Sequence, residues 1–360
     1  MKKILFLGRF PEPVHGAAVI NENYFKSLAR NNFEVERIKI NYSHSIDKLG
    51  SFGLNKMFYT ISLPFRLINK LVNSKPDLIY FELAPNGLAF YRDSILILIC
   101  KLFNKKILFH LHARNIARNI YSNFIFKNTK IIILSNILYN EVDKLFDKKD
   151  VYILPNGIKD ELNELEFKRI IKERKKEKTF NILFISNINK EKGALEALKI
   201  FNNIKNKEKF RLYFVGPWQD FKFKKEWEEY IIRNKLQNRC IYLGKKYGAD
   251  KNKVLRKTNL VLFPTSYKNE SFPLVTLESF MFGVPVFAYD NGAIKEIISK
   301  DYLGEVFNKN ENNIHKKIAN SIEKLSKSNI DYKRIRKHFR DNYTLQKIEK
   351  DLIKILNKEI

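Results

Sequence analysis

The stretch Asn259–Val286, NLVLFPTSYKNESFPLVTLESFMFGVPV, combines a buried strand, a loop and a short helix. Its first five residues form an apolar run of strand length. Pro273 suits the first turn of a helix, because its missing N–H costs nothing there. Gly283 suits the end of that helix, and Pro285 prevents its continuation. The stretch therefore predicts one strand–loop–helix unit of an open α/β sheet.

Two glutamates, Glu270 and Glu278, stand eight positions apart around the predicted helix start. We expect Glu270 in the loop just past the strand, and Glu278 about a turn and a half into the helix. Open α/β sheets bind ligands at the carboxyl ends of their strands, so both carboxylates are predicted to face a ligand. The alternative is that they only interact with the helix dipole and with solvent.

Strand-like apolar runs alternate with helix-length amphipathic stretches along the whole chain. Because hairpin signals are scarce, the alternation predicts two parallel sheets. The predicted strands of the first sheet are 4–7, 34–40, 78–81, 106–110, 131–134 and 151–154. Those of the second sheet are 181–185, 212–215, 241–243, 260–263, 286–288 and 304–306.

A turn signal at Pro155–Gly157 and a charged stretch after it mark the domain boundary. We predict two doubly wound, Rossmann-like α/β domains that face a cleft, at 1–158 and 180–340, with a charged linker at 159–179. Residues 341–360 have helical periodicity and are predicted to form a C-terminal helix.

The bulk composition narrows the class of protein. A chain of 360 residues exceeds one ordinary core, which favours two domains. Two widely spaced cysteines indicate a reducing compartment, and no apolar run approaches the length of a membrane span, so we expect a cytoplasmic protein. The net charge of +28 fits nucleic acid, an anionic membrane surface or anionic substrates as partners, or simply a lysine-rich surface.

The two glutamates, with the ESFPL start and the GVPV end around them, resemble the Glu-x7-Glu signature of the family 4 retaining glycosyltransferases. That family has the GT-B fold, with a C-terminal helix that crosses back to the first domain. The resemblance implies that Glu270 contacts hydroxyls of the donor sugar and Glu278 contacts the nucleotide ribose. It places four loop residues at the donor site: Ser271, Phe272, Pro273 and Leu274. Ser271 departs from the family, which usually has glycine there.

The segment Asn181–Gly193 reads as strand, loop and helix start, and a helix N-terminus with a nearby lysine favours phosphate. It resembles the family's G-R-L…K-G element, which implies that Lys192 grips the donor diphosphate. Asn187 occupies the place of the family's arginine, so we expect Lys190 or Arg9 to supply the missing cation. Turns after the next two strands add three donor-binding candidates: Gly216, Gly244 and Lys245.

The loop after the first strand, FPEPVHGAA at 10–18, corresponds to a Gly-rich loop of the family near the donor phosphate and the acceptor. Gly16 matches one glycine of that loop and is a donor-binding candidate, whereas Ala17 replaces the second. His15 is a candidate for acceptor or phosphate. The chain has no G-x-G-x-x-G and no Walker sequence, so the usual markers of hydride transfer and ATP hydrolysis are missing.

Three polar residues, His110, His112 and Arg114, follow or end the fourth strand. Alternation points both histidines to the same side. The family commonly carries one histidine near the reacting sugar, for which we favour His112, with His110 second; Arg114 is a candidate for phosphate or acceptor. A histidine metal site is the alternative, but no cysteine or Asp-rich partner is nearby. The chain also lacks Asp-x-Asp, so we expect an enzyme without metal or cofactor.

A basic amphipathic stretch at 56–72 suits either an anionic membrane surface or an ordinary core helix interrupted at Pro64. The family often reaches lipid-linked acceptors through such a surface of its first domain. Peripheral association with the inner face of the cytoplasmic membrane is therefore a further expectation.

The resemblance covers nearly the whole chain and implies a retaining, metal-independent glycosyltransferase. It would move a sugar from a nucleoside diphosphate sugar, with a UDP-sugar favoured, to a hydroxyl of a glycan or lipid-linked acceptor in bacterial surface-polysaccharide or oligosaccharide assembly. A nucleotide-sugar 2-epimerase or a phosphorylase on the same architecture remains an alternative. A non-catalytic nucleotide or basic nucleic-acid binder is the alternative of another class, although no recognised nucleic-acid motif occurs.

Overall fold

A computed structural model describes residues 1–11, 16–40 and 54–360, the side chains of 54–56 excepted. The contacts divide the chain into two units. Unit 1 comprises Met1–Gly157 and Leu345–Ile360, and unit 2 comprises Ile158–Thr344. Within the described ranges, none of the helices has the length and apolarity needed to cross a bilayer.

Unit 1 contains a six-stranded sheet in which all neighbouring strands are parallel. Its strands are β1 (Lys2–Gly8), β2 (Phe33–Lys39), β3 (Leu78–Glu82), β4 (Lys106–Leu111), β5 (Lys130–Ile133) and β6 (Val151–Ile153). The order β2-β1-β3-β4-β5-β6 puts β1 between β2 and β3. The direction of strand addition therefore reverses at β1, which makes the β1–β3 edge a switch point of the doubly wound kind.

Helices cover both faces of the unit 1 sheet, as a parallel sheet requires. They are α1 (Gly16–Arg30), α2 (Leu54–Asn73), α3 (Gly87–Leu102), α4 (Ile120–Phe126) and α13 (Leu345–Glu359). One face packs on α2, α3 and α4, and the other on α1 and α13. Ile348, Leu352 and Leu356 of α13 are fully buried against this second face, which confirms the predicted C-terminal helix on the first domain.

Unit 2 contains a second six-stranded parallel sheet, in the order β12-β11-β10-β7-β8-β9. Its strands are β7 (Phe180–Ile185), β8 (Phe210–Val215), β9 (Cys240–Tyr242), β10 (Leu260–Phe263), β11 (Val286–Tyr289) and β12 (Gly304–Phe307). Its helices are α5 (Glu164–Lys176), α6 (Ala194–Asn202), α7 (Phe221–Arg233), α8 (Gly248–Lys257), α9 (Leu274–Met281), α10 (Ile294–Ile297), α11 (Ile314–Lys327) and α12 (Tyr332–Asn342). All twelve strands predicted from the sequence occur, with ends that differ by at most two residues.

The prediction of a linker at 159–179 is wrong, because most of this stretch is helix α5 of unit 2. Phe167, Ile170 and Arg174 share one face of the helix and are buried. The Arg174 guanidinium donates to the carbonyls of Leu255 and Phe282 at 2.7 and 2.8 Å. The many charged residues of the opposite face outnumber these three positions, so the sequence did not indicate a buried helix. Unit 2 also extends to Thr344, four residues past the predicted end.

Candidate functional site

The loop between β10 and α9 has the form that the sequence predicts. Glu270 lies in this loop, Pro273 caps the start of α9, and Glu278 is the fifth residue of the helix. Gly283 follows the helix with φ +70°, a left-handed conformation that glycine adopts without strain. The local signals of proline and glycine thus position both glutamates.

Serine at position 271 does not distort this loop, because its φ is not among the positive values of the non-glycine residues. The close approach occurs instead at Gly292, which has φ +57°. A Cβ at Gly292 would lie 2.2 Å from the carbonyl oxygen of Glu270. The backbone of 270–271 therefore depends on a glycine that is distant in sequence, and the departure from the family at Ser271 leaves the backbone conformation intact.

Each of the two glutamates forms an ion pair with a lysine. The Lys192 Nζ donates to Oε2 of Glu270 at 2.7 Å, and Glu270 is only 8% exposed. The same ammonium lies 4.3 Å from the centroid of the Tyr267 ring. The Lys251 Nζ donates to Oε1 of Glu278 at 2.6 Å, and both of these side chains are partly exposed.

A cavity of about 260 Å³ in unit 2 contains both ion pairs in its wall. It lies at the carboxyl ends of β7, β8 and β10, where the order of strands reverses between β7 and β10. The N-terminus of α9 also contributes through Pro273, Leu274 and Val275. The remaining lining residues are Ile185, Ser186, Asn187, Val215, Gly216, Pro217, Lys246, Tyr247 and Phe263. Three ammonium groups, two carboxylates and a helix N-terminus suit a ligand with an anionic part and several hydroxyls.

Several predicted donor-binding residues line this cavity, and others do not. Asn187, Lys192, Gly216, Pro273, Leu274 and Glu278 are lining residues, as is Glu270. Five predicted residues of unit 2 are outside the lining: Lys190, Gly244, Lys245, Ser271 and Phe272. Lys190 and Lys245 point into solvent, and Phe272 is buried against Tyr343. Their neighbours Lys246 and Tyr247, with Lys251, are lining residues that sequence reasoning missed.

Gly216 provides the closest backbone approach at this edge. It has φ +144°, and a Cβ there would lie 1.8 Å from the carbonyl oxygen of Ser186. Its N–H donates to the carbonyl of Gly244 at 3.1 Å. The two predicted glycines thus tie the ends of β7, β8 and β9 together, and only Gly216 reaches the cavity.

The two histidines of unit 1 lie together at the end of β4, with ring centroids 4.0 Å apart. His110 is fully buried, and its Nδ1 is 2.5 Å from the hydroxyl of Tyr80. Burial, and then the charge of His112, hold the pKa of His110 well below its ordinary value. His112 is partly exposed, so it is the histidine of the pair that reaches the surface.

The structure pairs Arg9 with a buried carboxylate that sequence reasoning missed. Glu82 ends β3, is fully buried, and accepts from the backbone N–H and the Nε of Arg9 at 2.6 and 2.7 Å. Asn21 also donates to Glu82 and, at 2.9 Å, to the carbonyl of Arg9. The predicted strand ended at Phe81. Glu82, a charged residue directly after that strand, was the sequence signal that could have identified the site.

The other candidates of unit 1 lie in different surroundings. Arg114 donates to Glu141 at 2.9 Å, and Gly16 is the exposed first residue of α1. His15 lies outside the described residues. No group of three or more His, Cys, Asp or Glu side chains suited to a metal ion occurs in the ranges that the structure covers.

Comparison of the sequence with known proteins identifies a family and a curated relative. Residues 166–342, just under half of the chain and all within unit 2, match the family described as Glycosyl transferases group 1. A curated relative, an uncharacterized 41.2 kDa protein in the cps region of Klebsiella pneumoniae, is 25% identical over 292 residues. The matched residues are 79% of this chain and 67% of the relative.

Solved structures are similar over the whole chain. A glycosyltransferase from Rickettsia africae ESF-5 has 16% identity and a TM-score of 0.78, over 99% of this chain and 98% of its own. HepE of Anabaena, solved in complex with UDP, has 16% identity and a TM-score of 0.74, over 99% and 100%. These likenesses, with the two parallel sheets, show that the chain has the GT-B fold.

Proposed function

We propose that this protein, whose residues 166–342 match the group 1 glycosyltransferases, is a retaining glycosyltransferase that uses a nucleoside diphosphate sugar. The observation that carries the proposal is the cavity of unit 2, which brings Glu270, Glu278 and Lys192 together at the switch point of the sheet. A UDP-sugar is the favoured donor, since a structural relative was solved with UDP. A hydroxyl of a glycan or lipid-linked molecule would accept the sugar.

The residues of the cavity suggest how charge is handled during transfer. Lys192 and the N-terminus of α9 stabilise the negative charge that grows on the departing diphosphate, at roughly 3 kcal/mol for a well-placed donor. Glu270 binds hydroxyls of the sugar, and Glu278 binds the ribose. Both carboxylates form ion pairs with lysines. We therefore expect Lys192 to turn from Glu270 towards the phosphate when the donor binds.

In the proposed mechanism, which is retaining and independent of metal, the remaining steps are proton transfer from the acceptor and stabilisation of charge. The leaving phosphate takes the proton of the acceptor hydroxyl on the face from which it departs, so the anomeric configuration is kept. Lys192 and the helix N-terminus supply the positive charge that a metal ion provides in other enzymes. His112, the partly exposed member of the histidine pair of unit 1, is proposed as a further catalytic residue.

A thermal-shift panel tests this function. Wild type and Glu278→Ala are measured with UDP, GDP, ADP and CMP, without added metal. A ligand at one hundred times its dissociation constant stabilises by about 2.7 kcal/mol, which for a chain of this size raises the melting temperature by roughly 5 °C. We expect one diphosphate to give such a shift and Glu278→Ala to weaken it.

Glu228→Ala is the matched control, because Glu228 lies on α7 of the same unit, is half exposed and does not line the cavity. A shift that survives in Glu278→Ala but not in Glu228→Ala would place nucleotide binding elsewhere. No shift with any nucleotide would reject the proposed donor and turn attention to a phosphorylase or a nucleic-acid binder. Conversion of a UDP-sugar to its 2-epimer without acceptor would favour the epimerase.

The biological setting that we propose is surface-polysaccharide or oligosaccharide assembly at the cytoplasmic face of a bacterial membrane. The cps-region relative supports a polysaccharide context. A membrane location is supported by the outer side of the layer α2–α3–α4, which we call the apolar face. Its large exposed apolar residues are Met57, Phe58, Ile61, Phe65, Ile68, Val72, Leu88, Tyr91, Ile95, Leu102, Phe103, Ile120 and Phe124.

The charge around the apolar face suits an anionic bilayer. Residues 54–76 contain four lysines and arginines and no acidic residue. Residues 84–129 contain seven lysines and arginines. The single acid of these segments, Asp93, is fully buried and paired with Arg92. Three of the cations pair with acids outside these segments: Lys70 with Glu36, Arg114 with Glu141 and Arg118 with Asp143. Aromatic and aliphatic side chains with an excess of cations beside them are typical of helices that lie in the headgroup region.

Vesicle sedimentation tests the membrane proposal. We expect wild type to sediment with vesicles of phosphatidylglycerol and phosphatidylethanolamine, and less with phosphatidylcholine. Replacing Phe58 and Phe65, which are 65% and 70% exposed, with serine should lower binding about tenfold or more, because each ring buries apolar area in the bilayer. Phe221→Ser in unit 2, at an 83% exposed ring, is the control. Equal binding of the double variant and the control would contradict the proposal.

A further inference from the structure

A second cavity of unit 2, which we call the α5–α12 cavity, lies between the first and the last helix of that unit. Its volume of about 590 Å³ is within the range of small-molecule sites. Five cationic side chains, two acidic ones and one aromatic ring line it: Lys168, Lys333, Arg336, Lys337, Arg340, Glu164, Asp341 and Phe167. The excess of positive charge in this wall favours an anionic ligand.

One side of α12 supplies most of the positive charge of the α5–α12 cavity. Its cationic residues recur at spacings of three and four positions and therefore share one side of the helix: Lys333, Arg336, Lys337 and Arg340. Lys168 adds a further ammonium group from α5. Among the described residues, Lys168 and Lys333 form no ion pair, and both side chains are exposed. Two cations of this wall are therefore available to a ligand.

Arg336 is a buried cation of the α5–α12 cavity. It is 2% exposed, and its guanidinium carbon lies 4.9 Å from the centroid of the Phe167 ring. Its two terminal nitrogens donate to the carbonyls of Met281 and Leu162 at 2.7 and 2.6 Å, and to Asp160 at 3.0 Å. Its Nε has no hydrogen-bond partner in the part of the chain that the structure describes. Because a buried N–H without an acceptor is costly, this Nε favours an acceptor that a ligand supplies.

The carboxylate of Glu164 competes with a ligand for the two arginines of the α5–α12 cavity. Its Oε1 lies 3.9 Å from Nε of Arg336, which is too far for a hydrogen bond. The same carboxylate accepts from Nη1 of Arg340, and its side chain is 56% exposed. A phosphate group carries more charge and more acceptor oxygens than a carboxylate, so it can accept from both guanidinium groups at once.

We infer that the α5–α12 cavity binds a small molecule that carries two or more phosphate groups. One phosphate takes the position of the Glu164 carboxylate between Arg336 and Arg340. The remaining negative charge of the ligand is bound by the two lysines that form no ion pair, Lys168 and Lys333. The α5–α12 cavity shares no lining residue with the cavity proposed for the nucleotide sugar, so this site is independent of the proposed function.

Calorimetric titration with inorganic tripolyphosphate, at one fixed ionic strength, tests the inference. All variants carry Lys192→Ala as a common background, because this substitution removes a cation of the other cavity. Replacing both Lys168 and Lys333 with glutamine should weaken binding about tenfold or more, since two charge-assisted contacts are lost. Replacing both Lys316 and Lys324 of α11, which are exposed and outside the lining, changes the net charge equally and should leave the affinity unchanged.

Glu164→Gln is expected to change the affinity in the opposite direction. Loss of the competing carboxylate frees the two guanidinium groups, so tripolyphosphate should bind about twofold to fivefold more tightly, in line with the strength of an exposed ion pair. Glu173→Gln is the matched control, because Glu173 is exposed on the same helix and does not line the cavity. This control should bind tripolyphosphate as the background does.

Four outcomes would overturn the inference. The background protein could bind no tripolyphosphate. Equal losses of affinity in the Lys168–Lys333 variant and in the α11 control would mean that overall charge attracts the anion. Equal affinity of the Glu164→Gln and Glu173→Gln variants would mean that no phosphate takes the position of the carboxylate. If the Lys168–Lys333 variant loses binding to phosphatidylglycerol vesicles but keeps its affinity for tripolyphosphate, these lysines bind lipid headgroups instead of a free phosphate compound.

Discussion

Replacing Lys192 with alanine is expected to lower sugar transfer about a hundredfold to a thousandfold, the range observed when one donor to a developing charge is removed. The ammonium of Lys192 pairs directly with Glu270 and lines the cavity together with the N-terminus of α9. It would meet the negative charge that the diphosphate gains as the sugar departs. The measurement is release of nucleoside diphosphate from nucleotide sugars that carry the nucleotide identified by the thermal-shift panel.

Lys190→Ala is the matched control for Lys192. Lys190 stands two residues away on the same loop, is exposed, and does not line the cavity, so its removal changes the net charge equally. We expect this variant to release nucleoside diphosphate at the rate of wild type. Comparable losses in both variants would indicate a general effect of charge on the anionic donor. Wild-type turnover in Lys192→Ala would remove Lys192 from the mechanism.

Replacing Arg9 with methionine is expected to destabilise the protein by about 3–5 kcal/mol, because it leaves a buried carboxylate without its counterion. Glu82 is fully buried and accepts from both the backbone and the side chain of Arg9. Thermal and urea unfolding measure the loss. Lys26→Met removes an exposed i,i+4 pair with Glu22 in the same unit and should change stability by less than about 0.5 kcal/mol. Similar effects of the two substitutions would contradict the role assigned to Glu82.

The stability difference between wild type and Arg9→Met is also expected to depend on pH. Burial raises the pKa of Glu82, but the charges of Arg9 and His112 and the hydrogen bonds from Arg9 outweigh burial and leave the pKa lowered. A carboxyl with a lowered pKa stabilises the fold above its unfolded value of about 4.3 and loses this contribution as the pH falls. In Arg9→Met, burial acts without the main counterion, so the pKa of Glu82 rises. The deficit against wild type should be largest at neutral pH and shrink in acid.

Local signals in the chain predicted the elements around the candidate site. Apolar runs of strand length are sufficient to find buried parallel strands, because both faces of such strands are covered. Pro273 and Gly283 fix the ends of α9 through backbone geometry alone, so Glu270 and Glu278 could be placed before the fold was known. The charged stretch at 159–179 misled the same reasoning, since three buried positions of α5 were outnumbered by exposed charges.

The sequence by itself determined the two parallel sheets, the C-terminal helix and the glutamates beside α9, because each depends on residues that are close along the chain. Only the tertiary structure decided which charges meet. Lys251 pairs with Glu278 across 27 positions, and Arg9 pairs with Glu82 across 73. It also turned Lys246 and Tyr247, and not Lys245, towards the cavity. Side-chain direction and ion pairing depend on how strand ends converge in space, and spacing along the chain does not carry that information.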